Sequence, residues 1–148
     1  AGLSAPQGAG KTTLTSALVR LLDQEFGVRS VSLSIDDFYL TRAEQLALAS
    51  AFPGNRFLEH RGYPGTHDVT LGASVLEALR AGRPVTLPRY DKSAHGGRGD
   101  RSPESAVIDG PVDLVLLEGW MLGFAPVDGP LEAALQVPNT KLAAYSAW

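Results

Sequence analysis

No cysteine occurs among the 148 residues, which excludes a disulfide framework and any zinc site built on thiolates. No apolar stretch approaches the roughly 18 residues that would suggest a membrane span, and the first residues carry neither a basic segment nor a signal-type apolar run. Runs of lysine and arginine are missing as well, and the formal net charge is −3. Binding along a nucleic-acid backbone, which depends on many cations displacing counterions, therefore has no electrostatic basis. These absences point to a soluble, cytoplasmic chain whose partner is a small, discrete ligand rather than a nucleic acid or a membrane. Nothing in the composition speaks to oligomeric state. The length suits a single domain, residues 1–148, with one sizeable core.

Both ends read as interrupted. Ala1 to Ser4 resembles the last third of a strand already entering a glycine-rich turn, whereas a whole strand averages about 5 to 6 residues. Leu142 to Trp148 is apolar-periodic with no stop signal. The expectation is an excerpt of a longer protein, truncated at both ends.

Between the ends, periodicity alternates between helix and strand. From Lys11, residues Leu14, Ala17, Leu18, Leu21, Leu22 and Phe26 fall at helical spacing, and Gly27 suits a C-terminal cap. Val31, Leu33 and Ile35 then alternate with Ser30, Ser32 and Ser34, a strand with one small-residue face that ends at Asp36. Residues 41–51 are helix-like behind Thr41 as N-cap, and 52–67, with two Pro-Gly pairs and one further glycine, read as a long loop. Val69 to Ala81 forms a helix closed by Gly82, Pro84 to Tyr90 a short extended segment, and 91–106 a polar loop. Val112 to Leu117 is almost continuously apolar, the pattern of a buried parallel strand, and it delivers Glu118 and Gly119 at its carboxyl end.

The sharpest local signal is Ala5-Pro6-Gln7-Gly8-Ala9-Gly10-Lys11-Thr12, a loose Walker A phosphate loop with alanine where the strict pattern has its first glycine. Gly8 and Gly10 let the backbone turn tightly so that successive N–H groups converge on phosphate oxygens. The following helix presents its positive end to the same anion. Gly8, Ala9, Gly10, Lys11, Thr12 and Thr13 are accordingly the expected nucleotide contacts, with Lys11 on the outer phosphates and Thr12 offering its hydroxyl to Mg2+. The loop implies ATP or GTP. A guanine-reading Asn-Lys-x-Asp element is missing, and Asn139-Thr140-Lys141 does not supply it.

In open α/β sheets ligands bind outside the carboxyl ends of the strands, where Asp36, Asp37 and Glu118 fall. A kinase acting on an alcohol needs a carboxylate to accept the hydroxyl proton and oxygen ligands to hold magnesium between the phosphates. Asp36 and Glu118 are the candidates for both duties, beside Lys11 and Thr12. The plainer alternative for Asp36 or Asp37 is capping of the segment that starts near Phe38.

Ser34-Ile35-Asp36-Asp37-Phe38-Tyr39, the phosphate loop and Glu118-Gly119-Trp120 together resemble the P-loop kinases of the uridine kinase, pantothenate kinase and phosphoribulokinase group. Arg61 to Asp68, Pro88 to Ser93, Gly97 to Arg101 and Glu118 to Phe124 are similar, more specifically, to the D-glycerate 3-kinase family. The resemblance implies an α/β fold, the three-layer α/β/α P-loop NTPase arrangement with a mostly parallel sheet. It also implies an ATP- and Mg2+-dependent phosphotransferase acting on a glycerate-like hydroxy acid, with Asp36 as proton acceptor and Glu118 as second acid. In such families a further strand and a basic lid follow the equivalent of Trp148.

A small hydroxy acid needs cations for its carboxylate, and the planar fork of arginine matches that group. Arg61, Lys92, Arg98 and Arg101 are the candidates, although isolated cations in polar loops are commonly only solvated. His67 and Asp68 are further candidates, with helix N-capping the simpler reading of Asp68. Tyr39, together with Asp37, could wall the substrate pocket, as could Tyr90 and Trp120. His60 and His95 lack metal-ligand spacing and read as surface residues. The rivals are a kinase for another alcohol, such as a nucleoside or pantothenate, and a nucleotide-binding regulatory module without catalysis.

Overall fold

In the computed structural model, which describes residues 1–120, 122 and 123, the chain enters through β1 (Gly2–Ser4) and the phosphate loop. It continues through α1 (Lys11–Phe26), β2 (Ser30–Ser34), a 3₁₀ turn (Ile35–Phe38), α2 (Arg42–Ala51) and α3 (Val69–Arg80). Short strands follow, β3 (Val85–Leu87), β4 (Tyr90–Asp91), β5 (Asp100–Arg101) and β6 (Ala106–Ile108), before the longer β7 (Leu114–Gly119). Met121 and Phe124, the Asn139-Thr140-Lys141 stretch and the Leu142 to Trp148 segment lie outside the described residues.

Strand β7 lies between β1 and β2 and runs parallel to both. Its register sets Glu118 opposite Leu3 on one side and Ser34 on the other, so the carboxyl ends of the strands finish level. Side chains alternate across a strand, and β2 separates them cleanly. Val31 and Leu33 enter a core with Phe38, Val75 and Leu79 from α3 and Leu87 from β3. Ser32 and Ser34 face α1, where Thr15 is fully buried. Small serines on that face let the helix lie close to the sheet. The result is helix, sheet, helix in layers, as expected of the α/β class.

Caps fix the helix ends. Gly27 takes the left-handed conformation (φ 62°) and donates its N–H to Asp23 O, which only a residue without Cβ does cheaply. Thr41 and Glu44 form a reciprocal capping box at the start of α2, and the Asp68 carboxylate accepts from Leu71 N at the start of α3. The expected N-caps at Thr41 and Asp68 are both present.

The apolar stripe of α1 divides differently from the spacing argument. Leu14 and Leu21 are about half exposed and Phe26 is 68% exposed, while the sheet-facing side runs through Thr15. The Pro84–Tyr90 segment, read as extended, holds β3 and the start of β4, while the 91–106 segment, read as loop, also carries β5 and the start of β6; β3 pairs antiparallel with β6 and β4 with β5. Strands this short carry too few residues to show a period of two. The 52–67 segment is a loop as expected, and its far end is pinned. Leu40 N donates to Thr66 O at 3.0 Å and Asp68 N to Phe38 O at 2.7 Å, while the buried Thr66 hydroxyl donates to Tyr63 O.

Candidate active site

Gly8 and Gly10 both take positive φ (78° and 77°), the backbone geometry that turns consecutive N–H groups inward. The Lys11 ammonium folds over the loop and donates to Ala5 O and Pro6 O, each at 2.9 Å. One residue on, the Thr12 hydroxyl donates to Glu118 Oε1 at 2.7 Å, so the first turn of α1 is joined to the end of β7. Glu118 is only 3% exposed.

Across from this pair stands the 3₁₀ turn after β2. Ser34 caps it, and Asp37 completes the box by accepting from Ser34 N. The two adjacent aspartates then diverge. Asp37 turns inward and accepts from the Arg89 guanidinium at 2.9 Å and from Tyr90 N at 3.3 Å. Asp36 turns to the cleft, with Oδ2 taking the Lys92 ammonium at 2.6 Å and Oδ1 buried without a partner. Beside it, the Tyr39 hydroxyl is held protonated far above its ordinary range by burial and by the Asp36 charge. Tyr39 stacks on His67 at 4.5 Å, and burial pushes the His67 imidazole down, against a smaller opposing pull from Asp36.

These groups surround one cleft of about 890 Å³, lined by the phosphate loop, Asp36, Tyr39, Arg61, Lys92, Arg98, Glu118 and Trp120 among others. It opens at the carboxyl ends of the parallel strands, where α/β sheets bind ligands.

No family model matches the chain. Over 158 aligned residues it is 46% identical to the chloroplastic D-glycerate 3-kinase of Arabidopsis thaliana, covering 99% of this chain and 34% of that protein. The solved D-glycerate 3-kinase of Cryptococcus neoformans superposes with a TM-score of 0.80 at 38% identity, over 99% of this chain and 49% of that one. The chain thus spans about a third to a half of the length of these relatives. A possible uridine kinase from Bacillus stearothermophilus shares the fold at 24% identity, with a TM-score of 0.57, 99% of this chain and 78% of that one. The fold is that of the P-loop kinases.

Within that P-loop kinase fold the sequence-derived candidates separate into those that reach the cleft and those that do not. Gly8, Gly10, Lys11, Thr12, Thr13, Asp36, Tyr39, Arg61, Lys92, Arg98 and Glu118 line it. Ala9 sits in the loop, its N–H directed to Pro6 O. Asp37, His67, Asp68 and Arg101 are not among the lining residues. Asp68 is occupied as a cap and by Arg101 Nη2 at 3.4 Å, and Arg101 also donates to Tyr39 O. That pair braces the wall behind Tyr39. His60, read as a surface residue, is exposed yet lines the cleft, and Gln7 joins it there. Exposed His95 pairs with Asp100, whose carboxyl is held below the usual range first by the Arg42 N–H at the start of α2. Arg89 was missed, because the signal for it is a buried acid 52 residues away.

The arginines differ in what they are free to do. Arg61 points its guanidinium at backbone carbonyls of the 92–98 segment, whereas the Arg98 guanidinium has no hydrogen-bond or ion-pair partner among the described residues. A magnesium ion also fits the donor set. No three His, Asp or Glu side chains converge on one point among the described residues. Magnesium does not need such a cage, since it keeps several waters and takes one or two carboxylates plus phosphate oxygens. The Thr12 hydroxyl, Glu118 and the unpartnered Asp36 Oδ1 are the oxygens at hand.

Proposed function

We propose that the protein is an ATP-dependent kinase that phosphorylates a hydroxyl of a small hydroxy acid, converting D-glycerate to 3-phosphoglycerate. The observation that carries this reading is the meeting, in one cleft, of the phosphate loop, the Asp36 and Glu118 carboxylates and the unpartnered Arg98 guanidinium. The names of the relatives point to the same substrate.

In the reaction, the loop N–H groups and Lys11 hold the outer phosphates, the ammonium exchanging Ala5 O and Pro6 O for phosphate oxygens. Thr12, Glu118 and Asp36 would hold Mg2+, which neutralises charge on the phosphates when bound. Asp36 accepts the proton of the attacking hydroxyl as its oxygen bonds to the γ-phosphorus and the bond to the ADP oxygen breaks. Lys92, at 2.6 Å, fixes the orientation of that carboxylate. Arg98 takes the substrate carboxylate, and Tyr39 and Trp120 form the wall that excludes water. Little covalent work falls to the protein, so acceleration comes from positioning and electrostatics.

The test is coupled ADP release from the full-length protein carrying this sequence, with Mg2+, ATP and a panel of D-glycerate, L-glycerate, uridine and pantothenate. Turnover dependent on D-glycerate supports the reading. Turnover with uridine or pantothenate in place of the acids overturns the substrate assignment, and nucleotide binding without turnover on any of them overturns catalysis of this class.

A further inference from the structure

Arg61 lines the cleft, yet three of its five N–H donors are turned to backbone carbonyls. Nη1 donates to Gly97 O at 2.9 Å and to Arg98 O, and Nη2 donates to Lys92 O at 3.2 Å. The guanidinium also lies over the Tyr90 ring, 5.5 Å from its centroid. A planar fork can bridge several carbonyls of one loop at once, which a lysine ammonium on a flexible stem does poorly.

The loop it grips is a glycine-rich turn, Ala94–Gly97, in which His95, Gly96 and Gly97 take positive φ, as does Gly99 beyond it. Gly97 N donates to Ser93 O at 3.0 Å and Gly99 N to Ala94 O at 2.8 Å, bonds internal to the loop. Gly99 approaches the clasp so closely that a Cβ would sit 2.5 Å from Tyr90 Cε1 and 2.8 Å from Arg61 Nη1. The segment between Lys92 and Asp100 is tied to the rest of the molecule by the β4–β5 ribbon, by the Lys92–Asp36 and His95–Asp100 pairs and by the Arg61 guanidinium, and it carries both Lys92 and Arg98.

We propose that Arg61 is a positioning residue: with Tyr90 it clasps the 92–99 loop and thereby aims Arg98 at the substrate carboxylate, without contacting the substrate itself. The inference rests on the kinase reading for the role of Arg98, but the clasp stands on the geometry of the loop alone. Arg98 is the substrate contact and Arg61 acts through it.

Two measurements on the full-length protein separate these roles. The first is trypsin cleavage after Lys92 and Arg98 without substrate. Arg61→Ala and, independently, Gly99→Ala should each speed it by about tenfold or more, since local opening exposes the bonds. The second is KM for the acid substrate. Arg61→Ala and Arg98→Ala should each raise KM by roughly tenfold or more, as loss of a charge-assisted contact does. The double variant should be no worse than Arg98→Ala alone, because the two act in series. Arg61→Lys should behave like Arg61→Ala, since charge without the fork cannot bridge the carbonyls. An unchanged cleavage rate in Arg61→Ala, additive KM losses in the double variant, or rescue by Arg61→Lys would each overturn the clasp. If no acid is turned over at all, the kinase reading fails, and the cleavage rates still decide whether Arg61 holds the loop.

Discussion

Asp36 and Asp37 are neighbours in sequence with separate tasks, and the separation is made by partners far along the chain. Lys92 draws one carboxylate to the cleft, and Arg89 draws the other into the wall. Asp36→Asn is therefore expected to lower kcat by about 10²- to 10⁴-fold, the usual contribution of a general base. Affinity for the nucleotide without Mg2+, measured by titration calorimetry, should be nearly unchanged. His67 gives a pH-dependent signature. Burial holds its folded value below the ordinary value of about 6.5, so the unfolded chain takes up the proton first as pH falls. The stability it contributes is present above that ordinary value and is lost as the pH drops toward the folded value. His67→Phe, which keeps a ring against Tyr39, should lose less stability between pH 7 and pH 5 than the wild type in urea titrations.

At the scale of elements, turns and caps hold the site in register. Gly10 has no atom within 4 Å of where a Cβ would stand, so Gly10→Ala is strained by its φ of 77° alone. That strain, about 1 to 2 kcal/mol for an L-residue, is expected to weaken ATP binding by about tenfold. Thr41→Ala removes the capping box of α2, away from the phosphate loop, and should cost about 1 kcal/mol in denaturant unfolding with little change in nucleotide affinity. Such elements were legible where chemistry is local. The phosphate loop, Thr41, Asp68 and Gly27 each announce themselves within a few residues, and Glu118 is marked by the apolar strand that ends on it. The role of Arg61 was not legible, because its partners are backbone carbonyls, which every residue has. Asp37 has a local capping part, accepting from Ser34 N, but its pairing with Arg89 was unreadable for a related reason, the partner lying in another segment. The first strand of each ribbon falls at the extended Pro84–Tyr90 segment, but β5 and β6, two or three residues each, were too short for any period to show.

For the molecule as a whole, the cleft ties nucleotide binding to stability. MgATP at about 100 times its Kd should stabilise the fold by roughly 2.7 kcal/mol, and Lys11→Ala should abolish that gain in thermal unfolding. No helix among the described residues is long and apolar enough to cross a bilayer. The order of strands carries a consequence for synthesis. Among the described residues β1 and β2 pair only through β7, and Thr12 meets Glu118 across 106 positions of chain. A ribosome that has delivered everything up to Asp113 has delivered both ribbons and β1 and β2 of the parallel sheet, but not the strand between those two, and half of the hydroxyl–carboxylate pair. Until β7 follows, β1 and β2 lack the strand that joins them, and the hydroxyl–carboxylate pair forms only when that middle strand slides into place. Such distant pairing folds slowly, so the seating of β7 between β1 and β2 is expected to be the slow event in forming this cleft.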